Sequence, residues 1–147
     1  MSPTRDPAAL VVHVGSDLFA IPCTDVVSVL PLPELRPLPG APAGLLGTFS
    51  YGGTIVPVID LAQALTGVAT EDCLAVRVVI SSTRDGLVGV LVGRVADVRR
   101  VGASDRRLDV ARHPVVADAV VIDGRPVHML ALGSALPPEL RGLMAAP

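Results

Sequence analysis

The chain has 147 residues, a formal net charge of −2, half its residues hydrophobic and 18% charged. That length suits one compact domain, or two small halves sharing a core. With Phe19, Phe49 and Tyr51 as the only aromatics, the core must come from Val, Leu, Ile and Ala. The longest charge-free stretch, Pro37 to Ile59, has bilayer-spanning length, but Pro39, Pro42, Pro57 and five Gly make it a poor spanning helix. The N-terminal "MSPTRDPAAL" lacks the apolar region of a signal peptide. A cytoplasmic protein without direct membrane insertion is expected. Cys23 and Cys73 form no CxxC motif and read as free cytosolic thiols.

Taken in chain order, "ALVVHVG" (Ala9–Gly15) and "LFAIP" read as a hairpin about a Gly-Ser-Asp turn. "TDVVSVL" reads as one helical turn passing into a strand. Pro31 to Gly44 is Pro-rich and predicts an extended surface loop, with a polyproline ligand as the alternative. "LLGTFSY", a Gly-Gly turn and "TIVPVI" predict a second hairpin, with Pro57 at an edge or bulge. Asp60 is placed to cap a short helix, "LAQAL", that Gly67 closes. "AVRVVISS" predicts a strand and "RDG" a turn. "LVGVLVGRVADVRRV" holds one or two strands, and Gly102 to Pro114 reads as a polar, Arg-rich connector. "VVADAVVIDGRPVHMLAL" predicts a hairpin about Asp123-Gly124, and short helical ends follow.

The two halves correspond. Gly53, Val56, Val58, Ile59, Leu61 and Leu65 lie 71 positions before Gly124, Val127, Met129, Leu130, Leu132 and Leu136. Leu18, Ile21, Val26 and Val29 lie 69 before Leu87, Val90, Val95 and Val98. Matching units predict an all-β fold: two small five-stranded β-barrel subdomains related by an internal repeat, with short helices. Residues 1–8 are expected to form a disordered tail and 9–136 the domain. The barrel halves are expected at about 9–70 and 71–136, with 137–147 a C-terminal tail or short helix.

Charge divides along the same line. Residues 1–76 carry two Arg against seven acids, a net of −5, and residues 77–147 carry ten Arg against seven, a net of +3. Such an asymmetry suits directional docking onto partners. The Arg set 94, 99, 100, 106, 107 and 112 is interrupted by Asp97, Asp105 and Asp109 and has no interleaved aromatic, which argues against nucleic acid. His13, His113 and His128 have no helical metal-ligand spacing, and no cofactor motif is present. One catalytic alternative is a small hydrolase using Asp60 and a His, with an Asp60–His128 dyad; the bland reading is a helix cap and a barrel-wall histidine.

"ALVVHVGSDLFAIP", "PGAPAGLLGTFSYGGTIVPVIDLAQAL" and "LVGVLVGRVADVRRV" resemble the CheW family of chemosensory adaptors, over about Ala9 to Leu136. The resemblance implies two five-stranded barrels around a shared core, no catalytic activity and no cofactor. It implies two partners, the cytoplasmic tip of a chemoreceptor and the regulatory domain of a CheA-type histidine kinase. Typical members carry an N-L-R-G pattern where this chain reads Ser50-Tyr51-Gly52-Gly53, and Glu-Ile-Arg where it reads Ser28-Val29-Leu30. The implied receptor groove is therefore lined here by Val26, Ser28, Val29, Leu30, Ser50, Tyr51 and Gly52, and is more apolar than usual. Arg99 and Arg100 are the expected kinase-facing pair. A divergent CheW-like scaffold without receptor binding is the other alternative.

Overall fold

The computed structural model describes residues 7–101, 106–108, 116–130 and 132. The strands are β1 (Ala8–Val14), β2 (Asp17–Pro22), β3 (Val26–Pro31), β4 (Leu45–Tyr51), β5 (Thr54–Asp60), β6 (Arg77–Thr83), β7 (Gly86–Val92), β8 (Arg94–Arg100), β9 (Arg106–Leu108), β10 (Val116–Ile122) and β11 (Arg125–Leu130). A 3₁₀ turn at Cys23–Asp25 precedes β3, and one α-helix, α1 (Leu61–Thr66), follows β5. β-branched residues are frequent in β5, β6 and β10, as their stiff χ1 rotamers favour. Both hairpin turns of the β4–β5 type need left-handed backbone. Gly52 and Gly53 supply it with φ of 57° and 86°, and Asp123 and Gly124 supply it at the matching turn with 53° and 76°.

Two sheets form, in the orders β8-β1-β2-β11-β10-β9 and β3-β6-β7-β5-β4. The first five strands of each correspond through the repeat, and β9, inside the expected connector, adds a sixth to one sheet. The registers match residue by residue. Val11 faces Ala20 as Ile80 faces Gly89, and Thr48 faces Pro57 as Ala119 faces His128. Even the bulges recur, at Val27 and Ala96 on β3 and β8 and at Leu46 and Ala117 on β4 and β10.

The topology corrects the expected boundary near residue 70. β1 and β2 pair with β8 and β11, while β3 and β5 pair with β6 and β7. Each sheet thus draws strands from both halves of the sequence, so the barrels are not residues 9–70 and 71–136. The physical reason is that β1 and β6 each need two neighbours. Each takes one neighbour from its own half, β2 or β7, and one from the other, β8 or β3. Ala8 already belongs to β1 rather than to a tail, and the rest of the expected tails, 1–6 and 137–147, lies outside the described residues.

Three apolar clusters explain why each sheet is buried on both faces. Ala9, Val11, Leu18, Ala20, Val120, Ile122 and Val127, all from the first sheet, meet one another with Val101. Val56, Val58, Val76, Val78, Ile80 and Leu91 do the same around the second sheet, joined by Leu30, Phe49 and Tyr51. A sheet that buries one face against itself has curled into a barrel. The third cluster takes residues from both sheets, among them Val12, Phe19, Ile21, Ile59, Val79, Val88, Val90 and Leu130, and glues the barrels together. Each such Val or Ile contributes about 1.5–3 kcal/mol when fully buried.

Pro57 differs from its expectation. β5 is not an edge strand, because it lies between β4 and β7. The parallel ladder to β7, however, begins only at Val58, so Pro57 withholds no donor from it.

Candidate partner-binding site

Asp60 is a cap. It lies at the end of β5, 2% exposed, and its carboxylate accepts from the Gln63 amide at 3.4 Å. It also accepts from Thr70 twice, from the backbone N at 2.9 Å and from Oγ1 at 2.6 Å. Its own amide donates to the Gly44 carbonyl at 2.7 Å. Gly67 closes the helix in left-handed backbone with φ of 78°. The carboxylate therefore joins β5, α1 and the loop that follows, with no acceptor pointed at a histidine. His128 sits on β11 of the other sheet, its ring 4.9 Å from that of Phe19. The Asp60–His128 dyad does not form. His113 lies outside the described residues.

The seven groove residues separate onto two faces. Leu30 pairs with Val78 and Ser28 with Ile80, so both face the interior of the second barrel, where Tyr51 also packs, edge-on to Phe49 with ring centroids 6.4 Å apart. Val29 pairs with buried Val79 and so lies on the face of the shared core, as Val26 does. Ser50 pairs with Ile55, which shares that face with Ile59 two pleats on. Val29 is nonetheless 38% exposed and Ile55 63%. Val29 is on the edge strand β3, and Ile55 stands next to the β4–β5 turn. Gly52 stands at the tip of the β4–β5 turn, and nothing lies within 4 Å of where a Cβ would be.

Arg99 and Arg100 are on β8, the edge of the first sheet. The Arg99 guanidinium forms an ion pair with Asp123 in the β10–β11 turn. That exposed contact joins the β8 edge to the β10–β11 hairpin. The hydrogen bond from Arg99, then its charge, hold the Asp123 carboxyl below the usual carboxylate range.

Val98 and Ile55 escaped the sequence reading. Val98 is 57% exposed and is the repeat mate of Val29. Its signal was the 69-residue correspondence itself, which places both at the same position on an edge strand. Among the described residues no group of His, Cys, Asp and Glu is arranged to hold a metal ion, and no helix is long and apolar enough to cross a membrane.

Comparison with known proteins identifies the architecture. The chemotaxis protein CheW of Rhizobium meliloti (strain 1021) is 28% identical over 138 residues, which cover 88% of this chain and 86% of that protein. A probable chemotaxis protein CheW of Rhizobium etli is 32% identical over 100 residues, 65% of this chain and 62% of that protein. The crystal structure of the scaffolding protein TtCheW from Thermoanaerobacter tengcongensis superposes with a TM-score of 0.79 at 19% identity, over 89% of this chain and 87% of that one. The family model described as a CheW-like domain matches residues 8–137, a span that takes in all eleven strands. The chain belongs to the CheW-like domain family and is a non-enzymatic adaptor of chemosensory signalling.

Proposed function

We propose that this adaptor joins the cytoplasmic tip of a chemoreceptor to the regulatory domain of a CheA-type histidine kinase, and does so in the cytoplasm. The observation that carries the reading is the uncovered part of the second sheet's shared-core face. There Val29 on β3 and Ile55 on β5 are exposed apolar side chains, Ile55 opposite Ser50. A receptor tip is a bundle of helices, and an apolar strip between two barrels seats one face of an amphipathic helix. Val26, Leu30 and Tyr51 support that strip from beneath, since they pack between the barrels and into the second barrel, and Ser28 pairs with buried Ile80 there. Gly52 adds no donor, so binding rests on apolar burial. Arg99 and Arg100 present a basic edge to the kinase, with Arg99 held in place by Asp123.

The test is affinity capture from an extract of the native cell, with the unmodified chain and Val29→Asp side by side. The unmodified chain recovers both a CheA-type kinase and a chemoreceptor. Val29→Asp keeps the kinase and loses the receptor. Recovery of neither partner by the unmodified chain overturns the reading.

A further inference from the structure

His13 lies one residue before the end of β1 on the barrel-interior face, opposite Leu18 on one side and Arg94 on the other. Arg94 Nη2 lies 3.2 Å from His13 Nε2. A guanidinium has only donors, so Nε2 must accept and the proton of the neutral ring is on Nδ1. Among the described residues Arg94 has no ion-pair partner. Its remaining N–H groups border a cleft of about 580 Å³ between the β1–β2 turn, α1 and the loop after α1. Ala62, Val68 and Ala69 form an apolar wall there. Glu71 is the one carboxylate of the lining.

His13 also lines a second cavity, of about 180 Å³, at the mouth of the first barrel. Its walls are apolar on one side, with Leu18 and Val127, and charged on the other. Asp123 in that cavity is committed to Arg99, and Asp97 caps the Val98 amide at 2.8 Å. Arg125, also in its lining, is the second cation acting on His13. The two cavities share His13 alone, and Arg94 borders only the larger cleft, where the cation stands beside the wall of Ala62, Val68 and Ala69. A cation beside an apolar wall suits a carboxylate side chain flanked by apolar residues.

We propose that the cleft beside α1 is a second docking site, for a peptide segment with a carboxylate side chain flanked by apolar residues, anchored on Arg94 and His13. The carboxylate accepts from the free donors of Arg94, a charge-assisted bond in planar geometry. The flanking apolar side chains lie on the wall of Ala62, Val68 and Ala69. The cleft is lined by none of the groove residues and by neither Arg99 nor Arg100, so it does not depend on the receptor–kinase reading.

Burial, then Arg94, then Arg125 keep the free His13 below its ordinary value of 6.5, while Glu71 at the rim and Asp97 in the adjoining cavity carry the opposing charge. A bound carboxylate gives the imidazolium a partner, so occupancy raises the His13 value, and binding tightens as the pH falls through the window below 6.5.

The experiment is an NMR titration of the full chain with a blocked pentapeptide, Leu-Glu-Leu at its centre, and with the Gln counterpart. The expected result is shifts at His13, Arg94 and the amides of Val68 to Glu71. The Glu peptide should bind about tenfold tighter than the Gln peptide, the loss expected of one charge-assisted bond. Arg94→Gln removes that difference, and His13→Gln removes its pH dependence while the spectrum elsewhere stays folded. Equal affinity for both peptides overturns the proposal, as does the absence of shifts at millimolar peptide. Inorganic phosphate binding as tightly as the Glu peptide overturns the peptide assignment in favour of a general anion site.

Discussion

Replacing Asp60 by Ala tests the cap directly. The carboxylate accepts one amide hydrogen bond from α1 and two bonds from Thr70, all at a residue 2% exposed. Loss of an N-cap costs about 0.5–2 kcal/mol. Leaving the Thr70 donors without an acceptor adds about 1–3 kcal/mol, less whatever the loop recovers by turning to water. The expected total is about 2–4 kcal/mol, a large part of the stability of a chain this size. Asp60→Asn keeps the shape and one carbonyl acceptor, but turns an amide N–H₂ toward donors, so about half that loss is expected. Urea denaturation at neutral pH measures both, and hydrogen exchange at the Thr70 amide reports the loop. Because the loop lies away from β3 and β4, receptor affinity of the folded variant should be unchanged. A loss below about 0.5 kcal/mol for Asp60→Ala would refute the reasoning, since it would lie below the smallest measured cap effects.

Three more outcomes are expected. Ser81 is buried with its Oγ unpartnered, at the position that Val12 fills in the other barrel, so Ser81→Ala should raise the urea midpoint by about 1 kcal/mol of stability, and a fall would contradict the packing. Arg99→Glu should loosen the first barrel as well as weaken kinase association, and adding Asp123→Arg should restore the barrel but not the association; restoration of both would assign Arg99 to the fold alone. NMR titration should place His13 below 6.5 and Arg94→Gln should move it back toward that value. The unfolded chain binds the His13 proton more tightly than the folded one, so this group's contribution to stability rises with pH up to about 6.5 and is lost below it; a His13 value above 6.5 would contradict the Arg94 contact.

The elements were legible because local chemistry specifies them. Gly-Gly and Asp-Gly turns require left-handed backbone, Asp60 and Gly67 bracket a helix, and the Val-rich runs between them cannot be much else. The repeat was legible as two constant offsets, and the registers keep those offsets to the bulge. Partition of strands between barrels was not legible. A repeat says which strands are equivalent, not which copy each pairs with, and the β1–β2 hairpin pairs equally well with either set until the third cluster is built. The groove residues were read from a likeness, which cannot tell an interior face from an exposed one. Leu30 illustrates the difference. It packs with the interior of the second barrel, so Leu30→Asp would damage the fold, and exposed Val29 is the clean probe of the same strand.

The central claim is that apolar burial on the β3 and β5 strip holds the helical partner. Titration calorimetry of the purified chain against the receptor tip, at low and at high salt, tests it most directly. Exposed charges contribute through interactions that salt screens, whereas apolar burial is nearly insensitive to it. The predicted result is an affinity that hardly changes with salt, collapses in Val29→Asp because a charge is buried without a partner, and gains nothing from Gly52→Arg. A steep loss of affinity with salt, or a Val29→Asp variant that binds as the unmodified chain does, would contradict it.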